Sequence, residues 1–432
     1  LVIVVLCSAF CYTAHLLSEN WTIMCERWSE YTEHCRKPYP EMAYRAMGSN
    51  ARSFCSATLN IMLFGVSVVF LLLSSHIIND FITSIMGHSI GLCYIVLIVA
   101  TLLWPVTLLK SPQDFWWAIV VAMLTTVFSV ILIVVGTARD YGSCEPVAYR
   151  PPFQWSSLML SLGTFMFAFG GHAVFPTIQH DMKKPKHFTR SAIVAFSIVT
   201  AMYAPISFLG YFTYGDSLGE SIISSIQTEW IKSAANLLIA MHCILTLTII
   251  INPLNQEVEH LFDIPHHFGW QRLVVRSCVM LGIVFTAESI PKFGPILNVI
   301  GGTTVALTSA ILPALYNLYL KALTIDTVTK KYRRPTFVEV IEKTPKTRLL
   351  INIAIIVLAV ICGAATTHTA ILEMASTRFM VPCYARYFTD SHSQPDALTQ
   401  SAIESSLHCC GHFRNITSLL HLHNSSSLCA PY

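Results

Sequence analysis

Charge is what this sequence has least of. Asp, Glu, Lys and Arg together supply 12% of its 432 residues, about half the share of a soluble domain. The net charge is only +3, which gives no electrostatic footprint for nucleic acid. No glycine-rich phosphate loop and no nucleophile–base set occurs, so the chain reads as neither an enzyme nor a cofactor binder. The opening run, LVIVVLCSAFCYTAHLL, lacks the basic stretch that leads a cleavable secretion signal. It also lacks an initiating Met.

Apolar residues take the place of charge, at 54% of the chain. They recur in runs of about twenty, the length a helix needs to cross the hydrocarbon core. Ten such spans are expected at roughly 1–17, 54–78, 89–109, 115–136, 155–178, 191–212, 231–251, 273–290, 293–320 and 349–371. The fold class is therefore an all-α integral membrane protein. Of the 27 Lys and Arg residues, 20 fall in one alternate set of loops, namely 18–53, Lys110, 178–190, 252–276 and 321–348. The positive-inside rule puts that set in the cytosol. The first span then runs inward, so one further helix is expected ahead of Leu1 and the full bundle is expected to have eleven.

Residues 1–372 form one expected transmembrane domain. Residues 373–432 form a luminal or extracellular tail, expected to be disordered. There Asn415 and Asn424 open glycosylation sequons, and Cys383, Cys409, Cys410 and Cys429 are placed to form disulfides. Asn20 opens a third sequon, but on the cytosolic side. His408, Cys409, Cys410 and His412 match no zinc spacing, so no metal site is assigned.

The chemistry concentrates in FAFGGHAVFPTIQHD within 160–190. Phe169, Gly170, Gly171 and His172 lie in an otherwise apolar span, with Pro176 four residues beyond His172. Glycines weaken a helix, proline removes a donor, and a histidine in hydrocarbon is costly. Broken helices of this kind hold small polar solutes in transporters. Phe169–His172 are the candidate substrate contacts. His172, His242, Thr246 and Glu288 are candidates for proton or ion coupling. Thr246 lies one turn from His242, on its face. Either histidine is alternatively a packing residue satisfied by neighbouring helices. Lys232 and Arg276 read as snorkelling side chains, and Glu288 as interfacial. Gly301, Gly302 and Thr303 read as helix packing or gating positions, as does Pro176.

These stretches resemble the amino acid/auxin permease family, which includes vesicular inhibitory and proton-coupled amino acid transporters. The resemblance is carried by FAFGGHAVFPTIQHDMKKP, by IPKFGPILNVIGGTTVALTSAILPALYNL and by CYTAHLL. It covers about residues 1–372. Gln179 occupies a position that is often acidic in that family. The resemblance implies a leucine-transporter-like bundle with a five-plus-five inverted repeat, in which the span at 155–178 is one of two broken helices facing the substrate. It implies secondary active transport of small neutral amino acids by alternating access, with H⁺ or Na⁺ as the coupling ion. The membrane is expected to be vesicular, lysosomal or plasma. An amino acid sensor signalling to a cytosolic partner is the alternative, disfavoured by the modest cytosolic loops.

Overall fold

The computed structural model describes residues 2–31, 35, 37–88, 90–108, 116–219, 221–264, 269–325, 332–376 and 383–386. Lys110, Asn415, Asn424, Cys429 and the Cys/His group at 408–412 lie outside the described residues. Within lipid every backbone N–H and C=O must be satisfied inside the segment, so the apolar runs become helices. In chain order these are α1 (Val2–Arg27), α2 (Pro38–Met47), α3 (Ser49–Met86), α4 (Leu92–Thr107) and α5 (Trp116–Cys144). Next come α6 (Trp155–Phe169), α7 (Phe175–Asp181), α8 (Phe188–Tyr214), α9 (Ile222–Ser225), α10 (Glu229–Leu261) and α11 (Trp270–Ser289). The last are α12 (Phe293–Ile300), α13 (Leu312–Ala322), α14 (Phe337–Lys343), α15 (Lys346–Ser376) and α16 (Cys383–Arg386). The one sheet among the described residues is a small antiparallel pair, β1 (Thr324–Ile325) with β2 (Tyr332–Arg333).

Among the described residues, eight stretches are long and apolar enough to cross a membrane. They include Trp155–Asp181 and Phe293–Ala322 taken whole. The third and eighth expected spans fall on the shorter α4 and on α11. The helices overrun the expected limits, because polar and charged flanks continue the same backbone ladder. The loop expected at 18–53 is largely helical. There α2 begins with Pro38 in its first turn and stops at Gly48, whose φ of 111° suits glycine and whose N–H caps the carbonyls of Ala43 and Tyr44.

The described residues within Leu1–Gly65, Trp155–Thr200 and Pro295–Thr377 form one compact unit, and those within Val66–Gln154, Ala201–Gly294 and Arg378–Tyr432 form another. In the first, α1 packs on α13 and α7, and α6 packs on α15. Between α12 and α13 the chain widens into two π-helical turns, Gly301–Val305 and Leu307–Ile311. Their glycines set the packing. A Cβ on Gly301 would collide with the Gly163 carbonyl of α6, and one on Gly302 would lie 3.0 Å from the Gly363 carbonyl of α15. Thr303 returns its hydroxyl to the Val299 carbonyl at 2.6 Å.

The end of this unit that the charge count assigns to the cytosol is covered by α2. Tyr39, Met42, Ala43 and Ala46 pack with Trp21, Met24, Leu312, Tyr316 and Leu320 in one buried cluster. Tyr39 donates its hydroxyl to the Thr308 carbonyl in the second π turn. Tyr31 accepts from Arg45 at 2.9 Å and donates to Glu41 at 3.0 Å, and burial pushes its phenol above the usual range. Asn20 is fully buried and donates to the Pro313 carbonyl at 3.0 Å, so its sequon is inaccessible in the fold. Beside it Glu19 pairs with Lys321 and, at 3.1 Å, with Arg348, which ties α1, α13 and α15 together.

In the second unit α10 lies along α5, and α4 packs on both α10 and α11. Two expectations are corrected here. Arg276 does not snorkel. It is 1% exposed, pairs with Glu259 at 2.5 Å and donates to the Thr107 carbonyl, with Arg272 also 3.0 Å from Glu259. Desolvating a guanidinium is tolerable only with such partners, and Glu259 supplies one from α10. Glu288, in the last turn of α11, is buried among protein groups, with 7% exposure. Cys383 pairs with Cys93 at the start of α4, rather than with a cysteine of the tail. Both cysteines lie on the side that the charge count places away from the cytosol, where disulfides persist.

Candidate functional site

The candidate site grows from the break between α6 and α7. The α-helical ladder stops at Phe169, and Gly170 bonds back to the Phe167 carbonyl at 3.1 Å. A single 3₁₀ turn, His172–Val174, follows and leads into α7, with Pro176 in that helix's first turn. Pro176 fits there because a first-turn residue needs no intrahelical N–H bond. Gly170 is exposed and Gly171 half-buried. A Cβ on Gly170 would run into Val305 of the first π turn. Open backbone at this depth in a membrane is stable only against protein or a water-filled cavity.

His172 turns inward and is fully buried. Its Nε2 lies 3.0 Å from the Phe10 carbonyl and 3.1 Å from Thr13 Oγ1, both on α1. A carbonyl only accepts, so Nε2 carries the proton and Nδ1 the lone pair. Nδ1 is buried and has no hydrogen-bond partner among the described residues. Around the imidazole stand the rings of Phe10, Phe175 and Phe196, with centroids 5.6, 4.9 and 6.1 Å away. Phe169 is buried and stacks on Phe196 at 6.2 Å, so it forms a wall of this cage.

Below the cage Gln179 is buried, and its Nε2 donates to the carbonyls of Ser18 and Pro185 at 3.2 and 3.3 Å. It braces α7 against α1 and the following turn. A carboxylate could not do this, since both partners are acceptors.

The remaining candidates lie in the other unit. His242 Nδ1 donates to the Ala122 carbonyl at 3.1 Å and meets Thr126 Oγ1 at 2.8 Å, both on α5. Its Nε2 meets Thr246 Oγ1 at 3.4 Å. Both ring nitrogens are therefore used, and the arrangement fastens α10 to α5. Glu288 lies against the Cys93–Cys383 bridge.

Sequence reasoning missed Phe10, Thr13, Phe175 and Phe196. Thr13 did carry a signal, since it is the third residue of the CYT run. The phenylalanines carried none, because Phe is unremarkable in a membrane span.

A largely helical chain with eight stretches long and apolar enough to cross a membrane, one of them broken along its length, defines a multi-pass membrane protein. The family described as "Transmembrane amino acid transporter protein" matches residues 1–362, and the chain belongs to that family. Its members are transporters rather than enzymes. Among the relatives is "Amino acid transporter AVT1B" of Arabidopsis thaliana, 24% identical over 346 residues, which are 78% of this chain and 60% of that protein. "Amino acid transporter AVT1J" of the same plant is 23% identical over 313 residues, 70% of this chain and 71% of that protein. "Auxin transporter-like protein 3" of Medicago truncatula is 28% identical over 181 residues, 41% of this chain and 39% of that protein. The chain thus spans less than two thirds of the first of these relatives.

Proposed function

We propose that this protein moves small neutral amino acids across a membrane by secondary active transport, coupled to protons, through alternating access. The observation that carries the reading is His172. It sits in the break of the α6–α7 span with one nitrogen fixed by α1 and the other unpartnered among the described residues. A proton placed on Nδ1 finds no hydrogen-bond acceptor among the described residues, with three phenylalanine rings standing around the imidazole. An amino acid seated at the open backbone of Gly170 and Gly171 brings a carboxylate that accepts it. Proton and substrate would then stabilise each other's binding, which is what coupling requires.

The test is uptake of radiolabelled amino acids into vesicles carrying the purified protein. An inward proton gradient is expected to drive accumulation, and an imposed Na⁺ gradient at equal pH is not. His172→Ala is expected to lower proton-driven uptake by roughly ten-fold or more, which is about 1.4 kcal/mol of lost coupling, with membrane expression retained. Sodium-driven uptake would overturn the coupling ion. Unchanged uptake and pH dependence in His172→Ala would return the residue to helix packing.

A further inference from the structure

Cys93, Cys383 and Glu288 converge at the end of the second unit that the charge count places away from the cytosol. Their ligand atoms all lie within 4.8 Å of one another. The two cysteines form a disulfide, yet the bridge does not account for Glu288. A disulfide is neutral and donates no hydrogen bond. The carboxylate is nonetheless buried against it, and Glu288 Oε1 has no hydrogen-bond partner among the described residues. A buried carboxylate oxygen without a partner is costly, and either a proton or a bound cation relieves it.

We propose that Cys93, Cys383 and Glu288 are the ligands of a zinc-class divalent cation when the disulfide is reduced, so that one group of side chains holds α16 by a covalent bond in one redox state and by a metal in the other. The ligand types suit zinc, and three protein ligands leave a fourth position for water. At ordinary zinc bond lengths the sulfurs of a tetrahedral site stand ~3.8 Å apart and each stands ~3.5 Å from the carboxylate oxygen. The Cα atoms of the two cysteines are 5.6 Å apart, so two separated thiolates still reach one ion.

Nor does α16 depend on the disulfide alone for its place. Tyr384 stacks on Phe285 of α11 with centroids 5.7 Å apart, and its hydroxyl meets Ser289 Oγ at 3.5 Å. The thiols therefore remain neighbours after reduction.

The chemistry balances with an external thiol as reductant. Its thiolate attacks one sulfur of the bridge and releases the other as a thiolate. A second equivalent resolves the mixed disulfide, and the reductant leaves as its own disulfide. The cation then displaces the two thiol protons.

The experiment uses the full chain in detergent, reduced with a phosphine and freed of it without air. Co²⁺ serves as the spectroscopic probe and Zn²⁺ as its competitor. Reduced protein is expected to show thiolate-to-cobalt absorbance that Zn²⁺ abolishes, and oxidised protein is not. Cys93→Ser is expected to remove the signal, and Glu288→Gln to weaken Co²⁺ binding about ten-fold or more. Nine other cysteines among the described residues are in no disulfide, so the site is also read without mutation. Zn²⁺ should slow maleimide labelling of Cys93 and Cys383 in reduced wild-type protein, located by mass spectrometry. Equal labelling of that pair with and without Zn²⁺, or Co²⁺ affinity unchanged in Glu288→Gln, overturns the proposal.

Discussion

A histidine inside a membrane has two nitrogens to satisfy, and this protein treats its two best-placed ones differently. His172 and His242 each donate to a carbonyl that also receives a threonine hydroxyl of the same helix: Phe10 with Thr13, and Ala122 with Thr126. They differ at the second nitrogen, which meets Thr246 in His242 and no partner among the described residues in His172. That difference separates a fastening from a group with chemistry left to perform. Gln179 obeys the same logic of donors and acceptors. Gln179→Glu would set a carboxylate against the Ser18 and Pro185 carbonyls, replacing two donated bonds by repulsion between oxygens while each carbonyl keeps its local donor, the Thr22 hydroxyl and the Phe188 N–H. It is expected to lower stability by about 1–3 kcal/mol, read as an earlier thermal unfolding midpoint in detergent, and an unchanged midpoint would refute the brace.

At the scale of elements, glycine pairs decide how closely helices approach. Gly301→Ala would push a methyl into the Gly163 carbonyl, with no flexible side chain there to yield. A loss of about 1–3 kcal/mol or more is expected. Gly294→Ala meets open space and should leave thermal stability nearly unchanged. Equal midpoints for the two variants would disprove this packing. Outside the membrane, α14 opens with a capping box in which Thr336 Oγ1 accepts from the Glu339 N–H and Glu339 accepts from the Thr336 N–H at 2.7 Å. That backbone bond, aided by Arg333, holds the Glu339 carboxyl below the usual range. A depressed pKa adds stability above the ordinary carboxylate range and withdraws it as pH falls through the lowered value. Hydrogen exchange in α14 should therefore stay slow at neutral and mildly acidic pH and quicken only below that range. Thr336→Ala should quicken it already at neutral pH. Protection that ignores both changes would count against the cap.

At the scale of the whole molecule, the charge count assigns sidedness and puts the Cys93–Cys383 bridge away from the cytosol. A glycosylation sequon inserted between Gly87 and Ile90 should be modified in cells, and one inserted at Thr344 should not. The opposite pattern would invert the topology. The spans and the break were legible in the sequence because lipid imposes a severe local rule, so Gly170, Gly171, His172 and Pro176 stood out against their neighbours. Arg276 was misjudged because burial depends on partners from other helices. For Arg276 that partner is Glu259, seventeen residues away. No periodicity could have paired Cys93 with Cys383, which are 290 residues apart. That separation makes most of the polypeptide a single covalent loop. A protease that cuts once anywhere between the two cysteines releases nothing, and the nicked protein runs as one chain on a gel until a reductant is added.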